Sequence, residues 1–92
     1  MTKAEIQFVR SLADKQVRDQ ERLFIAEGEK LISEIIDSHL RIRNIYALEG
    51  VLNGRAEAVT PKEMERISQL KSASNCLAVV EQPRFTTPAT AL

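Results

Sequence analysis

Two neighbouring stretches of the sequence carry groups that could bind a polyanion. Lys15, Arg18 and Arg22 recur every three or four residues, so they would share one face if the first predicted helix continued through them. Glu27-Gly28 then follows a short apolar run and precedes a second helical pattern. A glycine at a helix start permits close approach of a phosphate or base to unpaired backbone N–H groups. A nucleic-acid contact is therefore one interpretation of these two stretches.

Both stretches also have a purely structural interpretation. Acidic residues are interleaved with the basic ones, as is typical of a solvated helix surface, namely Asp14, Asp19 and Glu21. Gly28 would then only let the chain turn, and the charge of Glu27 would meet the positive end of the helix dipole. The residues alone favour the structural interpretation at both stretches.

Residue patterns typical of catalysis are missing from the sequence. It has no nucleophile paired with a base, no glycine-rich phosphate loop and no metal-ligand spacing. His39, beside Asp37, is expected to be a polar residue at a helix end. Cys76 opens the apolar run Cys76–Val80, which predicts a buried, inert thiol in a reducing compartment. We therefore predict neither catalytic residues nor a metal site.

Composition limits the size and type of any binding site. The 92 residues are enough for one domain, and the 13 basic and 13 acidic residues cancel. A polyanion site must therefore be a local patch rather than a property of the whole surface. No segment approaches the roughly 18 apolar residues of a membrane span, and the N-terminus lacks the apolar core of a signal peptide. We expect a cytoplasmic protein without a membrane partner.

Hydrophobic periodicity alternates between helix-like and strand-like along the chain. The helical stripes are Ile6-Val9-Leu12-Ala13, Leu31-Ile32-Ile35-Ile36 and Met64-Ile67-Leu70. The strand candidates are Leu23–Ala26, a stretch from Ile42 to Leu48 with imperfect alternation, the short run Ala56–Val59 after an Asn53-Gly54 turn, and Cys76–Val80. This alternation predicts an α/β domain with helices on both faces of a largely parallel sheet, joined by right-handed crossovers.

Two boundaries are strongly marked. Thr60-Pro61-Lys62-Glu63 combines a hydroxyl N-cap, a proline at the first helical position and a glutamate three residues after the cap. Gln82-Pro83 ends the last strand, because proline cannot donate to a sheet ladder. Residues 84–92 are rich in threonine, proline and alanine without a period, and we interpret them as a linker.

Two blocks of the sequence resemble one known family. The first is Lys15-x-x-Arg18 followed by Leu23-Phe24-Ile25-Ala26-Glu27-Gly28-x-Lys30-Leu31-Ile32-x-Glu34, and the second is VTPKEMERISQLKSASNCLAVVEQP, residues 59–83. In order and spacing they are similar to the opening and closing elements of the N-terminal substrate-binding domain of SpoU (TrmH) RNA 2′-O-ribose methyltransferases. The resemblance covers residues 3–83.

This resemblance implies a fold, a function and a division of labour. The fold would be a three-layer α/β/α sandwich of the ribosomal-protein-like type that binds RNA. Residues 1–83 would recognise structured ribosomal or transfer RNA, and residues 84–92 would lead toward a missing C-terminal methyltransferase domain. That domain would bind S-adenosylmethionine and form a homodimer, so this fragment would hold no cofactor and no activity although the parent protein would be an enzyme. The alternatives are a stand-alone ribosome-associated or kink-turn-binding protein, or a plain protein-interaction domain.

The resemblance also suggests roles for single residues. Arg18, with Lys15 and Arg22, would contact phosphates, and Glu27 would orient Arg18 or accept a hydrogen bond from a base or ribose hydroxyl. Gly28 would allow close approach, and Lys30 would add charge at the rim of the site.

The turn before the last strand departs from the family pattern. Ala73-Ser74-Asn75 stands where relatives commonly carry a Thr-Pro-Gln-Gly type turn. Asn75 is expected to take the left-handed conformation that a glycine would supply, and thereby to keep an RNA contact at this turn.

Overall fold

A computed structural model describes residues 1–83, so the predicted linker lies outside the described residues. The helices are α1 (Lys3–Ser11), α2 (Lys15–Glu21), α3 (Glu29–Ile36) and α4 (Pro61–Ile67), and a short 3-10 helix spans Val51–Gly54. The strands are β1 (Leu23–Glu27), β2 (Ile42–Ala47), β3 (Glu57–Ala58) and β4 (Cys76–Glu81). The predicted α/β class is confirmed.

The four strands form one mixed sheet in the order β1-β4-β2-β3. β4 runs antiparallel to both of its neighbours, and only the short β3 lies parallel to the strand beside it, β2. The prediction of a largely parallel sheet was therefore wrong. A continuous apolar run shows that a strand is covered on both faces, but it does not fix the direction of that strand.

Strand β4 forms the centre of a three-layer core. Its residues from Cys76 to Val80 are all at most 2% exposed. Leu77 and Val79 pack with α1 and α4 on one face, whereas Cys76, Ala78 and Val80 pack with α3 on the other. The predicted α/β/α layering follows from this alternation, because successive strand side chains point to opposite faces.

The first predicted helix is broken into two. Leu12 caps α1, and the carboxylate of Asp14 accepts a 2.8 Å hydrogen bond from the Gln16 N–H and so begins α2. Aspartate competes in this way with a continuing helix. α2 ends at Arg22, which takes the left-handed conformation with φ 58° and ψ 44°. The first helix therefore does not continue through the basic residues. Lys15 and Arg18 lie three positions apart on the separate helix α2, and Arg22 caps the C-terminal end of that helix.

The start of α4 confirms the predicted cap. The Thr60 hydroxyl accepts from the Glu63 N–H at 3.1 Å, the Glu63 carboxylate accepts from the Thr60 N–H at 2.9 Å, and Pro61 follows the cap. The helix ends at Ile67, so Leu70 lies beyond it and is 54% exposed. Leu31 is also exposed, at 46%, and these two leucines were wrongly assigned to the core stripes.

An irregularity in strand β2 explains why its alternation of apolar and polar residues looked imperfect. The register of its pairing with β4 shifts between Ile42 and Asn44, as at a β-bulge, which moves later side chains to the other face. After β2, the predicted Asn53-Gly54 turn lies in the 3-10 segment, where Leu52 and Asn53 both have positive φ. Within residues 1–83, no helix is long and apolar enough to cross a bilayer.

Candidate RNA-binding surface

The carboxylate of Glu27, at the end of β1, joins two distant parts of the chain. Its Oε1 accepts hydrogen bonds from the hydroxyls of Ser68 at 2.6 Å and Ser74 at 2.5 Å. Its Oε2 accepts from the Gln69 N–H at 2.8 Å. All three donors belong to the segment 68–75, which connects α4 to β4. Glu27 is thus the anchor of that segment.

Gly28 has a backbone conformation that other residues avoid. It stands at the N-cap of α3 with φ 102° and ψ 145°, and no side chain caps this helix. Its N–H donates to the Cys76 carbonyl at 3.1 Å, and its carbonyl accepts from the Ile32 N–H at 3.0 Å. A Cβ built at this position would meet nothing within 4 Å. The space in front of Gly28 is therefore open to a ligand, as the sequence interpretation required.

Asn75 contributes to the same corner through its side chain and its backbone. Its side-chain Nδ2 donates to Glu29 Oε2 at 2.9 Å, and its backbone carbonyl accepts from the Leu48 N–H at 2.9 Å. The left-handed conformation expected of Asn75 is wrong, because its φ is not positive. The hydrogen bonds around Glu27 and Glu29 shape this turn, so a left-handed residue is not needed. We call residues 27–31 and 68–75 together the Glu27 edge.

The basic residues upstream lie at the other end of β1. Nη1 of Arg18 donates to the carbonyls of Leu12 and Ala13, both at 2.9 Å, and so covers the turn that follows α1. Lys15 Nζ pairs with Asp19 Oδ2 at 2.9 Å on the exposed surface. We call Lys15, Arg18 and Arg22 the Arg18 edge. Arg18 is partly a structural residue here, which the sequence did not indicate.

Strand β1 keeps the two edges apart. Leu23 and Glu27 begin and end the strand, which at the usual rise places their Cα atoms about 13 Å apart. In the described part of the chain, the hydrogen bonds of the Glu27 carboxylate go to the segment 68–75 and those of the Arg18 guanidinium to the end of α1. The expectation that Glu27 orients Arg18 was wrong. The structure gathers Glu27, Gly28, Lys30 and Asn75, and it leaves Lys15, Arg18 and Arg22 elsewhere.

The Glu27 edge contains one cation that the sequence interpretation missed. Lys71 is exposed on the segment 68–75, and Lys30 is exposed on α3. Neither ammonium takes part in an ion pair among residues 1–83. Glu27 and Glu29 lie at the same edge and carry the opposite charge. A phosphate would therefore meet Lys30 or Lys71 rather than the backbone beside the two carboxylates. In the sequence, the only indication of a role for Lys71 was its position three residues before the Ser74-Asn75 turn.

Other chemically active residues lie away from this edge or are buried. Cys76 is buried, as predicted, and its burial raises the pKa of the thiol, which disfavours the reactive thiolate. His39 is exposed and lines a groove of about 530 Å³ together with Leu40, Arg41, Glu81, Gln82 and Pro83. Residues 1–83 contain no cluster of histidine, cysteine and acidic side chains that could hold a metal ion.

Comparison with known families defines the class of the protein. Residues 3–84 match the family model of the MRM3-like substrate binding domain. The chain therefore belongs to the family of MRM3-like substrate-binding domains, which confirms the resemblance to the SpoU (TrmH) group. No protein of curated function matches the sequence.

Solved structures agree with this assignment. A protein of the TrmH RNA methyltransferase family from Porphyromonas gingivalis is 28% identical, with a TM-score of 0.81 over 96% of this chain and 38% of its own. An rRNA methyltransferase from Sinorhizobium meliloti with bound AdoMet is 24% identical, with a TM-score of 0.74 over 92% of this chain and 36% of its own. AviRb, a SpoU methyltransferase from Streptomyces viridochromogenes in complex with AdoMet, is 20% identical, with a TM-score of 0.74 over 90% and 37%. The last two show a shared fold, and this chain spans well under half the length of all three.

Proposed function

We propose that this chain is the RNA-recognition domain of an S-adenosylmethionine-dependent 2′-O-ribose methyltransferase that acts on ribosomal or transfer RNA, and that it has no catalytic activity by itself. The observation that carries this proposal is the match of residues 3–84 to a substrate-binding domain. The similar TrmH-family structure supports RNA as the substrate.

The groove beside His39 does not fit the methyl donor. A site for an adenosine ligand needs an enclosed and largely apolar pocket with a few convergent polar groups. The groove beside His39 is lined instead by a histidine, an arginine, a glutamate and a glutamine, with only Leu40 and Pro83 apolar. We therefore propose that S-adenosylmethionine binds to another part of a longer protein, and that the homodimer interface also lies there. We further propose that the protein acts in the cytoplasm.

Two surfaces are candidates for the RNA contact. The Glu27 edge offers the exposed ammonium groups of Lys30 and Lys71 beside the open space at Gly28. The Arg18 edge offers Lys15 and Arg22, both exposed, and the remaining N–H groups of the Arg18 guanidinium. Because the edges are separated by β1, an RNA that contacts both must extend along this side of the domain. We propose the Glu27 edge as the principal contact, since neither of its lysines has an ion-pair partner among residues 1–83. At the Arg18 edge, Lys15 pairs with Asp19 and Arg18 donates to two carbonyls, which leaves only Arg22 without such a partner in this part of the chain.

Titration of a structured ribosomal RNA fragment at several salt concentrations tests the proposal. Lys30→Ala and Lys71→Ala should each weaken binding and reduce the slope of log K against log[salt] by about 0.7–0.9. Lys62→Ala, which removes an exposed charge from α4, is the matched control and should leave the slope unchanged. Binding that is equally weakened by Lys62→Ala would show a nonspecific electrostatic contact and contradict the proposed surface.

A further inference from the structure

We propose that Glu27 is a positioning residue, which holds the segment 68–75 and with it Lys71 in the geometry that meets RNA, and is not itself an RNA ligand. The inference rests on the proposed function and deepens it. It replaces the sequence interpretation, in which this carboxylate accepted a hydrogen bond from the nucleic acid.

The first argument is the hydrogen-bonding capacity of the carboxylate. A carboxylate has about four acceptor sites, and three of those on Glu27 are used by Ser68, Gln69 and Ser74. Its negative charge has no cation paired with it in residues 1–83, so it repels a phosphate that comes close. Glu27 is thus poorly suited to hold RNA but well suited to hold its own chain.

The second argument is where the three donors stand. Ser68 and Gln69 lie at the beginning of the segment, and Ser74 lies at its end. Between them, residues 71–73 make no hydrogen bond to the rest of the described chain and are exposed. One carboxylate therefore fixes both ends of a short exposed span, in the way that closing the ends of a loop restricts the conformations between them.

The position of Lys71 gives this restriction a consequence for binding. Its ammonium lies on the span that Glu27 closes, whereas Lys30 lies on α3 and is positioned by that helix. Loosening the segment would spread Lys71 over many conformations and raise the entropy lost when it binds a phosphate. Lys30 would be unaffected. The two lysines are therefore matched reporters, one dependent on Glu27 and one independent.

The experiment combines Glu27→Ala with each lysine variant. Alanine removes all three hydrogen bonds, whereas the one amide oxygen of a glutamine could still accept from both serine hydroxyls and keep the two ends of the segment closed. In the wild-type background, Lys71→Ala should reduce the salt slope of RNA binding by about 0.7–0.9. In the Glu27→Ala background the same change should reduce it by much less. Lys30→Ala should have the same effect in both backgrounds.

Amide hydrogen exchange supplies a reading that does not depend on RNA. The Gln69 N–H donates to Glu27, so its exchange should accelerate in Glu27→Ala while amides of β4 keep their protection. If Glu27→Ala fails to fold, Ser74→Ala releases the C-terminal end of the segment and serves in its place, with the effect of Lys71→Ala on the salt slope as its reading.

Each outcome separates the two proposals. An equal effect of Lys71→Ala in both backgrounds, or unchanged exchange at Gln69, would overturn the positioning role. If neither lysine variant alters RNA binding in any background, the proposed RNA surface fails. Exchange at Gln69 then decides alone whether Glu27 holds the segment.

Discussion

Arg18 precedes β1 and Glu27 is the last residue of that strand, and each of the two side chains is held by partners that the other does not contact. Arg18 caps the carbonyls of Leu12 and Ala13, whereas Glu27 accepts hydrogen bonds from the segment 68–75. Substitutions at the two positions should therefore act independently, since distant sites without shared partners have additive free energies.

Arg18→Ala should lower the free energy of unfolding by about 1–2 kcal/mol, because charged hydrogen bonds to two helix-end carbonyls are lost. Lys15→Ala removes an exposed ion pair and should change it by less than about 0.5 kcal/mol. Urea unfolding of both variants checks the difference. If Arg18 also contacts a phosphate, as the sequence predicts, the salt slope of RNA binding should fall by about 0.7–0.9. Equal urea midpoints for the two variants would contradict the capping role of Arg18.

Arg22→Gly should stabilise the domain by about 0.5–1 kcal/mol. Arg22 ends α2 at φ 58°, a conformation that costs an L-residue with a Cβ about 1 kcal/mol. Glycine removes this cost, but part of the gain is lost because glycine also raises the entropy of the unfolded chain. Thermal unfolding measures this gain. RNA affinity measured on the same variant then separates stability from binding, because a phosphate contact through Arg22 would make a more stable protein bind more weakly. A lower melting temperature would contradict the prediction.

Gly28→Ala should cost about 1–3 kcal/mol of folding stability through backbone strain alone. The position has φ 102° and ψ 145°, which is essentially restricted to glycine, while the added Cβ itself meets no atom. Gly54→Ala, at φ 78° and with equally open space, is the matched control and should cost less because it is nearer the left-handed helical region. Only Gly28→Ala should also weaken RNA binding, because its methyl group would occupy the open space of the Glu27 edge. Equal RNA affinities for the two variants would show that this space is not used.

Acid should weaken the start of α4 through Glu63. The N–H of Thr60, and after it the hydrogen bond from the N-terminal ammonium, lower the pKa of Glu63 below its ordinary value of 4.5. A carboxylate with a lower pKa in the folded state contributes stability above the unfolded pKa and loses it as the pH falls through the folded pKa. The free energy of unfolding, measured by urea between about pH 6 and about pH 3, should therefore fall less steeply in Glu63→Gln than in the wild type. Glu65→Gln is the control, because Glu65 lies two residues further along α4 and is exposed. If Glu65→Gln changed the pH dependence of the free energy of unfolding by the same amount, the assignment to Glu63 would be refuted.

The parts of the fold that local chemistry determines were predictable. Thr60, Pro61 and Glu63 together specify a helix start, and the structure contains the complete capping box. Gly28 specified a backbone conformation that other residues avoid, and it has one. In each case the cause lies within a few residues of the effect.

The parts that depend on distant contacts were not predictable. The direction of β4 follows from which strands flank it, and the apolar run Cys76–Val80 is compatible with either direction. The roles of Glu27 and Lys71 depend on donors that lie between 41 and 47 positions from Glu27 in the sequence. Arg22 gave no sign of its positive φ, because arginine has no preference for that region.

The central place of β4 determines when this domain can fold during synthesis. β1 and β2 do not pair with each other, and both pair with β4, which the ribosome adds about thirty residues after the end of β2. Until Cys76–Glu81 has left the exit tunnel, β1 has no strand partner, and of the sheet only the short β2–β3 pair can form. Both halves of the core lie against the two faces of β4, so neither half can be completed before this strand is available.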